Sequence, residues 1–516
     1  MISLNPFLAS TLDQIPRLLG QLNRNPGSVS YGSFDRAYWH YRTNDISCCR
    51  YQEAVLTLAL LYTNDFAGNG YYRDNQILEW LRAALRFTAT IQRPDGSFDE
   101  WYLHEGSYVG TAFLTAALSQ TIITLKTNQI VVPELSLVGE TIKRTARWLV
   151  RAEESTVMNQ VAGAAFALAA AAEVTGNQTF AVAAQKLEQR LLAEQNREGW
   201  WREYGGPDIG YLSLAISYLE KYQKLTGSTS TTTAILKAKA FVGAFINPDQ
   251  TAGGEYMSRN TEYLVPSTAL PYFGAIKPAN LDDRYLCYIL YNWLGTGLEV
   301  TPQKIVLSLG KDYFPDSAFF RVANERYFLV ASGQKGGSFR LYVGGRVYYD
   351  SGLELAWHGR CLSSGLLDPQ NEVSFGGNSI TVSGAFKPIN EPLMKTPMAV
   401  VFKSFQLLFG RFSFVQKAVK RFLRPRMISY RKQTSLRFER RITYQKNQVE
   451  IIDTIKTVIS PEQVRYGLKS SYLAVPSAKY FTEQELMKNR LVPTESIEKK
   501  PDRLIITRSF YFNHTK

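Results

Sequence analysis

Candidate helix starts recur through the first part of this chain at a nearly constant interval. They fall near Ile46, Ser107, Asn159, Asp208 and Glu262, at spacings of 61, 52, 49 and 54 residues. Each interval has room for two helices and two loops. A hairpin repeated at this period buries its apolar face only against the next one, so the chain must stack into an open solenoid or close into an α/α toroid. The helices themselves are legible. Ile77, Trp80, Leu81, Ala84, Leu85 and Ile91 recur at three- and four-residue spacing, which marks a one-sided helix. The stretch 163–174 (GAAFALAAAAEV) is apolar nearly all round, as a helix enclosed by others must be.

The loops alternate in character. PDGSFDEWYLHEGS (94–107), REGWWREYGGPD (197–208) and GGEYMSRNTEY (253–263) are rich in Gly, aromatic and acidic residues, whereas TGNQ (175–178) and TGSTS (226–230) are short and bland. Loops that alternate between two ends of a barrel gather all the distinctive chemistry at one end. Rings beside carboxylates and Arg suit a sugar, since rings cover the apolar pyranose faces and polar groups hold the hydroxyls. The cluster Tyr31, Asp35, Arg36, Trp39 and His40 reads as part of the barrel wall rather than as chemistry.

Past about residue 300 the texture becomes period-two alternation broken by Gly, Asn and Asp, in 319–332, 338–352, 378–386, 440–456 and 503–512. That pattern predicts an antiparallel β domain, with the boundary near 297–315. One segment interrupts it. Between Glu391 and Glu439 there are eleven Lys or Arg and no acidic residue. Phe402, Phe405, Phe409, Phe412, Gln416, Val419 and Leu423 fall on one helical face, and Lys403, Lys417, Lys420, Arg421 and Arg424 on the other. A basic amphipathic insert at 392–432 fits an anionic membrane surface, or a helix packed on the sheet with its charges in water. Its rings lie apart from its charges, which argues against nucleic acid.

The net charge of +14 favours a polyanionic partner. Cys48, Cys49, Cys287 and Cys361 have no metal-site spacing and read as reduced thiols. No metal or other cofactor is expected. The sequence has no phosphate-loop, dinucleotide or H-E-x-x-H motif. The opening residues lack the pattern of a secretory signal, and no run of eighteen uncharged apolar residues occurs, so the expected place is the cytoplasm, peripherally at the inner membrane face.

Three segments carry a family resemblance: VMNQVAGAAFALAAAAEVTGN (157–177), EGWWREYGGPDIGYLSL (198–214) and SGQKGGSFRLYVGGRVYYDSG (332–352). Together with the two-part pattern they resemble the heparinase II/III-like polysaccharide lyases and their relatives in bacterial polysaccharide gene clusters. The resemblance implies an α+β multidomain fold, an N-terminal (α/α) toroid followed by a C-terminal antiparallel β-sandwich, with the cleft between them. The domains become 1–30 as an N-terminal extension, 31–300 as the sugar-binding toroid and 301–516 as the sandwich with its insert. The chain departs from the family in its histidines. Asn159 is followed by Gln160 where the family commonly has His, and Gly-Gly-Ser-Phe-Arg stands where a His-x-His-x-Asp motif is common. Only His40, His104, His358 and His514 occur in the chain.

The implied chemistry is β-elimination on an acidic, uronate-containing polysaccharide of an exopolysaccharide pathway. Donors neutralise the uronate carboxylate, which acidifies the C5 proton for a Tyr to remove. Asn159 and Gln160 are the candidate donors and Tyr211 the proton-transfer group. Asp208 reads as an N-cap, which puts Tyr211 at the third helical position. His104 and His358 are the remaining acid–base candidates. Glu203, Tyr204, Asp208, Arg259, Asn260, Glu262, Trp101 and Trp201 complete the expected substrate contacts, with a salt bridge to Glu255 or Glu262 as the duller role for Arg259. Two alternatives stay open: hydrolysis by a carboxylate pair drawn from Glu100, Glu105, Glu203 and Asp208, and glycan binding without turnover.

Overall fold

The structure is a computed structural model that describes residues 4–512 apart from 155, 305, 390–394, 413, 416–417, 420–432 and 471–480. Helices α1 (Pro6–Leu12), α2 (Ile15–Gln21) and α3 (Arg36–Trp39) precede the hairpins. Five helices then form an inner ring: α4 (Ala54–Thr63), α6 (Tyr108–Thr127), α8 (Met158–Thr175), α10 (Ile209–Thr226) and α12 (Asp283–Glu299). Helices α4, α6, α8 and α10 pack in succession, Ser217 and Tyr218 of α10 bond to Asn292 and Tyr291 of α12, and α12 returns to α4, so the stack closes as a toroid rather than running on as a solenoid. Between them α5 (Asn75–Thr90), α7 (Glu134–Leu149), α9 (Gln178–Glu194) and α11 (Ser230–Ala244) make the outer layer. The composition dictates the layer: every residue of α4 is buried, while α5 and α7 bury one stripe. Helix α6 is long and apolar enough to cross a membrane, yet 78% of its most apolar window is buried inside the molecule, as in a core helix.

Residues 1–30, read from sequence as an extension, contain α1 and α2, whose Phe7, Ile15 and Leu18 are fully buried. Asn5 Nδ2 donates to Gly297 O at 3.0 Å and Val300 O at 2.8 Å, fastening this segment to the end of α12.

A motif repeats beneath the hairpin period. Gly32, Gly96 and Gly199 have φ of +95°, +96° and +102°, and a Cβ on each would collide with the backbone of an outer helix, at Ala83, Arg144 and Lys237. Only glycine tolerates both constraints. Gln52, Gln92 and Gln195 each donate to that glycine's carbonyl and, at 2.8–3.5 Å, to a carbonyl of the same outer helix. Two residues after each glycine an aromatic side chain (Phe34, Phe98, Trp201) is driven into the core.

Three of the expected helix starts (Ser107, Asn159 and Asp208) fall within one residue of a real one, and Ile46 lies three residues before a short 3-10 helix, Cys49–Glu53, that leads into α4. The fifth, at Glu262, matches none, because α12 begins at Asp283. Residues 247–282 instead run as a long irregular loop. Pro266, Pro271 and Pro278 deny that stretch the donors and backbone freedom that a continuous helix needs.

The β domain begins with β1 (Gly310–Phe314), β2 (Phe319–Ala323), β3 (Tyr327–Ser332), β4 (Ser338–Val343) and β5 (Arg346–Asp350), a five-stranded antiparallel meander. A four-stranded sheet pairs β6 (Glu354–Trp357) and β7 (Arg360–Ser363) with β10 (Lys387–Pro388) and β13 (Val464–Arg465). The six-stranded sheet has the order β14-β15-β12-β11-β9-β8, from β8 (Glu372–Gly376), β9 (Ser379–Ala385), β11 (Arg437–Gln445), β12 (Gln448–Ile455), β14 (Thr494–Lys499) and β15 (Leu504–Tyr511).

Strands β2–β5 of the meander are buried on both faces. Phe320, Val322, Leu329 and Leu341 join Ile442, Ile451 and Ile506 of the six-stranded sheet in the sandwich core. The alternate residues Phe319, Ala323, Phe328, Val330 and Tyr342 belong to the toroid's core. Phe241 and Phe245 of α11 meet Phe314 and Phe319 there, at centroid distances of 5.0–6.4 Å. Period-two alternation thus glues one sheet to two partners.

Within the insert, α13 (Thr396–Phe409) lies against the toroid, with the Phe402 ring 5.4 Å from that of Tyr102 and Lys403 paired with Asp45. The expected basic outer face is not what α13 presents. Val400, Val401, Leu407 and Leu408 point outward. Lys417, Lys420, Arg421 and Arg424, the charges assigned to that face, lie outside the described residues, as do Gln416 and Leu423.

Candidate functional site

The N-termini of the neighbouring inner helices α8 and α10 meet at the rim of the toroid facing the β domain, and a short turn ties them together. Glu203 bridges antiparallel to Val157 on one side and Gly206 on the other. Its carboxylate accepts from Asn159 N at 2.8 Å and Asn159 Nδ2 at 2.7 Å. Asp208 caps α10, accepting from Tyr211 N at 3.2 Å, from the hydroxyl of Thr261, and from Arg259 N and Thr261 N at 3.2 Å. Two orphan helix ends and the loop 258–261 are therefore organised by two buried carboxylates.

Burial pushes both acids up: Glu203 well above its ordinary range against the two Asn159 bonds, and Asp208 upward against the Thr261 hydroxyl and the backbone donors. Arg259 lies close enough to oppose both shifts. Its own guanidinium is 1% exposed and stacks 4.1 Å from the centroid of the Tyr204 ring. Its Nε and Nη2 have no hydrogen-bond partner. Glu255 and Glu262, offered from sequence as its salt-bridge partners, are taken instead by Arg340 of β4, whose Nε reaches both Glu255 oxygens at 2.8 Å. Glu262 also pairs with Lys469 at 2.7 Å, so although burial raises it, these two cations hold its carboxyl below the usual range.

The β domain closes over this rim. Leu367 packs on the Gly205–Gly206 turn, where Gly205 has φ +107° and a Cβ would press on the Leu367 side chain at 3.2 Å. Lys335, in the β3–β4 turn, donates to the carbonyls of Glu255 and Met257 and to Asn260 Oδ1. Burial pushes its ammonium down to about 7, with Glu255 and Asp208 pulling it back. All three ammonium donors go to oxygens that only accept, so its role here is to clamp the loop. Between the domains a small cleft is lined by Ser258, Asn260, Lys335, Ser351, Ser363 and Ser470, with Leu366 and Leu367 as an apolar wall.

The expected site residues thus divide. Asn159 comes together with Glu203, Tyr204 with Arg259, and the backbone N–H groups of Tyr211 and Arg259 with Asp208; Asn260 joins them through Lys335, and half-buried Gln160 follows Asn159. Asn159 is spent on Glu203, so it is a positioning residue rather than an open carboxylate donor. Val157 is the N-cap of α8, so Asn159 lies within its first turn. Glu262 belongs to the interdomain ion cluster.

Trp201 is a correction. It occupies the core position of the repeated glycine motif, its indole donating to Leu191 O at 2.8 Å, and it offers no face to a sugar. Trp101 is 58% exposed and carries Arg284 at 3.9 Å on its ring, in the separate loop 99–107. His104 sits in that same loop at φ +64°, its backbone N–H held by Asp99, and no described contact joins it to Tyr211 or Arg259. His358 occupies the far turn of the β6–β7 hairpin at φ +46°, four to five residues from the Glu354–Ser363 end near the cleft. At about 3.3 Å per residue that places it on the order of 13 Å away. The four carboxylates of the hydrolase alternative are all engaged: Glu100 by Arg284 and Ser107, Glu105 by two backbone N–H groups, and the other two as above.

Lys335, Ser258 and Thr261 were missed from sequence. The signal for Lys335 in the sequence is a lone Lys beside two glycines in the β3–β4 turn.

No family model matches the sequence, and no curated protein matches it. Solved structures do. The Streptomyces coelicolor A3 chondroitin AC lyase in complex with chondroitin sulphate superposes with a TM-score of 0.55 at 10% identity, over 88% of this chain and 66% of that one. The chain thus spans just under two thirds of that enzyme. A crystal structure of heparinase III matches at a TM-score of 0.48 and 10% identity, over 99% and 90% of the two chains. The chain has the fold of the chondroitin AC lyase, an α/α toroid followed by an antiparallel β-sandwich.

Proposed function

We propose that this chain acts on an acidic, uronate-containing polysaccharide by lyase-type β-elimination at the rim where α8 and α10 meet the β domain. One observation carries the reading. Arg259 is buried with Nε and Nη2 unpaired. These two nitrogens form one edge of the guanidinium fork, the edge that grips a carboxylate with two parallel bonds. Leaving such donors unsatisfied costs free energy that a bound anion repays.

In this scheme a uronate carboxylate displaces the Tyr204 ring and docks on Arg259, which spreads its charge and acidifies the C5 proton. Tyr211, in the first turn of α10 where the helix dipole favours a phenolate, takes that proton. The C5–H pair becomes the C4–C5 double bond, the C4–O bond breaks, and the departing oxygen collects a proton from Tyr211. Asn159 acts at one remove, fixing Glu203 and through it the turn that carries Tyr204.

The test is incubation with chondroitin, heparan and alginate while following absorbance of the new double bond. The expected result is a rise that Arg259→Ala lowers by about 10²–10³-fold and Tyr211→Phe abolishes. New reducing ends without that absorbance, or retention of glycan with neither signal, would replace this reading by hydrolysis or by binding alone.

A further inference from the structure

We propose that α13 and the residues just after it dock the protein on an anionic lipid bilayer. Val400, Val401, Leu407 and Leu408 stand at positions i, i+1, i+7 and i+8, which places them on one stripe of the helix. They are 60–68% exposed, and Phe412 and Phe414 extend the patch at 41% and 71%. An apolar stripe of this kind facing water needs a partner.

Three observations choose the bilayer. The helix is 14 residues long, so at about 1.5 Å per residue it is far shorter than the roughly 30 Å of hydrocarbon a spanning helix must cross, and it is suited to lie on the surface. From 392 to 438 the chain has eleven Lys or Arg and no acidic residue, which complements anionic headgroups and repels a second copy of itself. The inner side of α13 is already anchored, with Phe402 against Tyr102 and Lys403 against Asp45, so the outward stripe is held in place before any partner arrives.

The experiment is flotation of the full chain with phosphatidylglycerol-rich vesicles and with pure phosphatidylcholine vesicles, with sedimentation velocity run in parallel. The wild type floats with the anionic vesicles only, and less in high salt. Leu407→Glu with Leu408→Glu lowers binding by at least about tenfold, and Arg411→Glu by a few-fold, at unchanged melting temperature because all three side chains are exposed. Equal flotation with both vesicle types, or no flotation, overturns the proposal. A dimer that the Leu407/Leu408 variant dissolves, without flotation, assigns the stripe to a second copy. Because the readout is binding, failure here leaves the catalytic reading untouched.

Discussion

Two buried arginine environments in this molecule differ in one respect, and the difference separates architecture from chemistry. In the sandwich, Arg440 and Arg508 form a fully buried square with Asp350 and Asp453. Arg440 Nε reaches Asp453 at 2.6 Å and its Nη1 reaches Asp350 at 2.9 Å, and for Asp350 the two cations outweigh burial, so its carboxyl sits below its ordinary range. Only Arg508 Nε lacks a partner in that square. Arg259 is just as buried, but one whole edge of its guanidinium is idle and no described carboxylate pairs with it. A charge square with matched signs costs much to break and does nothing else. An idle edge is an expense unless a ligand completes it.

The largest expected effect lies on the matched side. Asp350→Ala strands two buried guanidinium groups and costs about 3–5 kcal/mol in denaturant unfolding. A loss under about 1 kcal/mol would show that the square is not what holds the sandwich. On the idle side the outcome reverses: Arg259→Ala lowers double-bond formation from a uronate polymer by about 10²–10³-fold, as for loss of a charge-stabilising donor, with little change in melting temperature. If unfolding suffers and turnover does not, Arg259 is merely structural.

Acid sharpens the contrast further. The folded-state value of Asp350 is below 3.8, so its contribution is fully present above that pH and disappears as pH falls through the lower folded value. Unfolding free energy therefore drops at low pH in the wild type and drops less in Asp350→Asn. The smallest effect belongs to the turn between the two regions. Gly205→Ala forces a side chain into φ +107° and against Leu367, costing about 1 kcal/mol and narrowing access to Tyr204, readable as a raised KM.

The helical period and the strand alternation were both legible because each repeats: a 3.6-residue stripe and a two-residue alternation survive any detail of packing. The cap at Asp208 and the placement of Tyr211 were legible too, since a helix start is written locally in Gly-Gly-Pro-Asp. What was hidden is what depends on contact across the fold. Nothing in 253–263 tells that Glu255 and Glu262 answer to Arg340, some eighty residues on, and so leave Arg259 unpaired. Trp201 looked like a sugar platform because its loop is ornate, whereas the recurrence of Gly-Ser-Phe-Asp at 32–35 and 96–99 already marked the second residue after glycine as a core plug. The outward face of α13 misled for the opposite reason: charge in the neighbouring sequence was assigned to a helix whose own surface is hydrocarbon.

The meander that serves two cores carries a further consequence for how this protein comes apart. Its strands are the inner wall of both halves, so neither half has a complete interior alone. A fragment ending after α12 would leave the rings of Phe241, Phe245 and Tyr256 naked to solvent, prone to clumping rather than soluble. Heating should melt helices and strands in a single transition, and attempts to dissect the chain into independent pieces would yield none worth purifying.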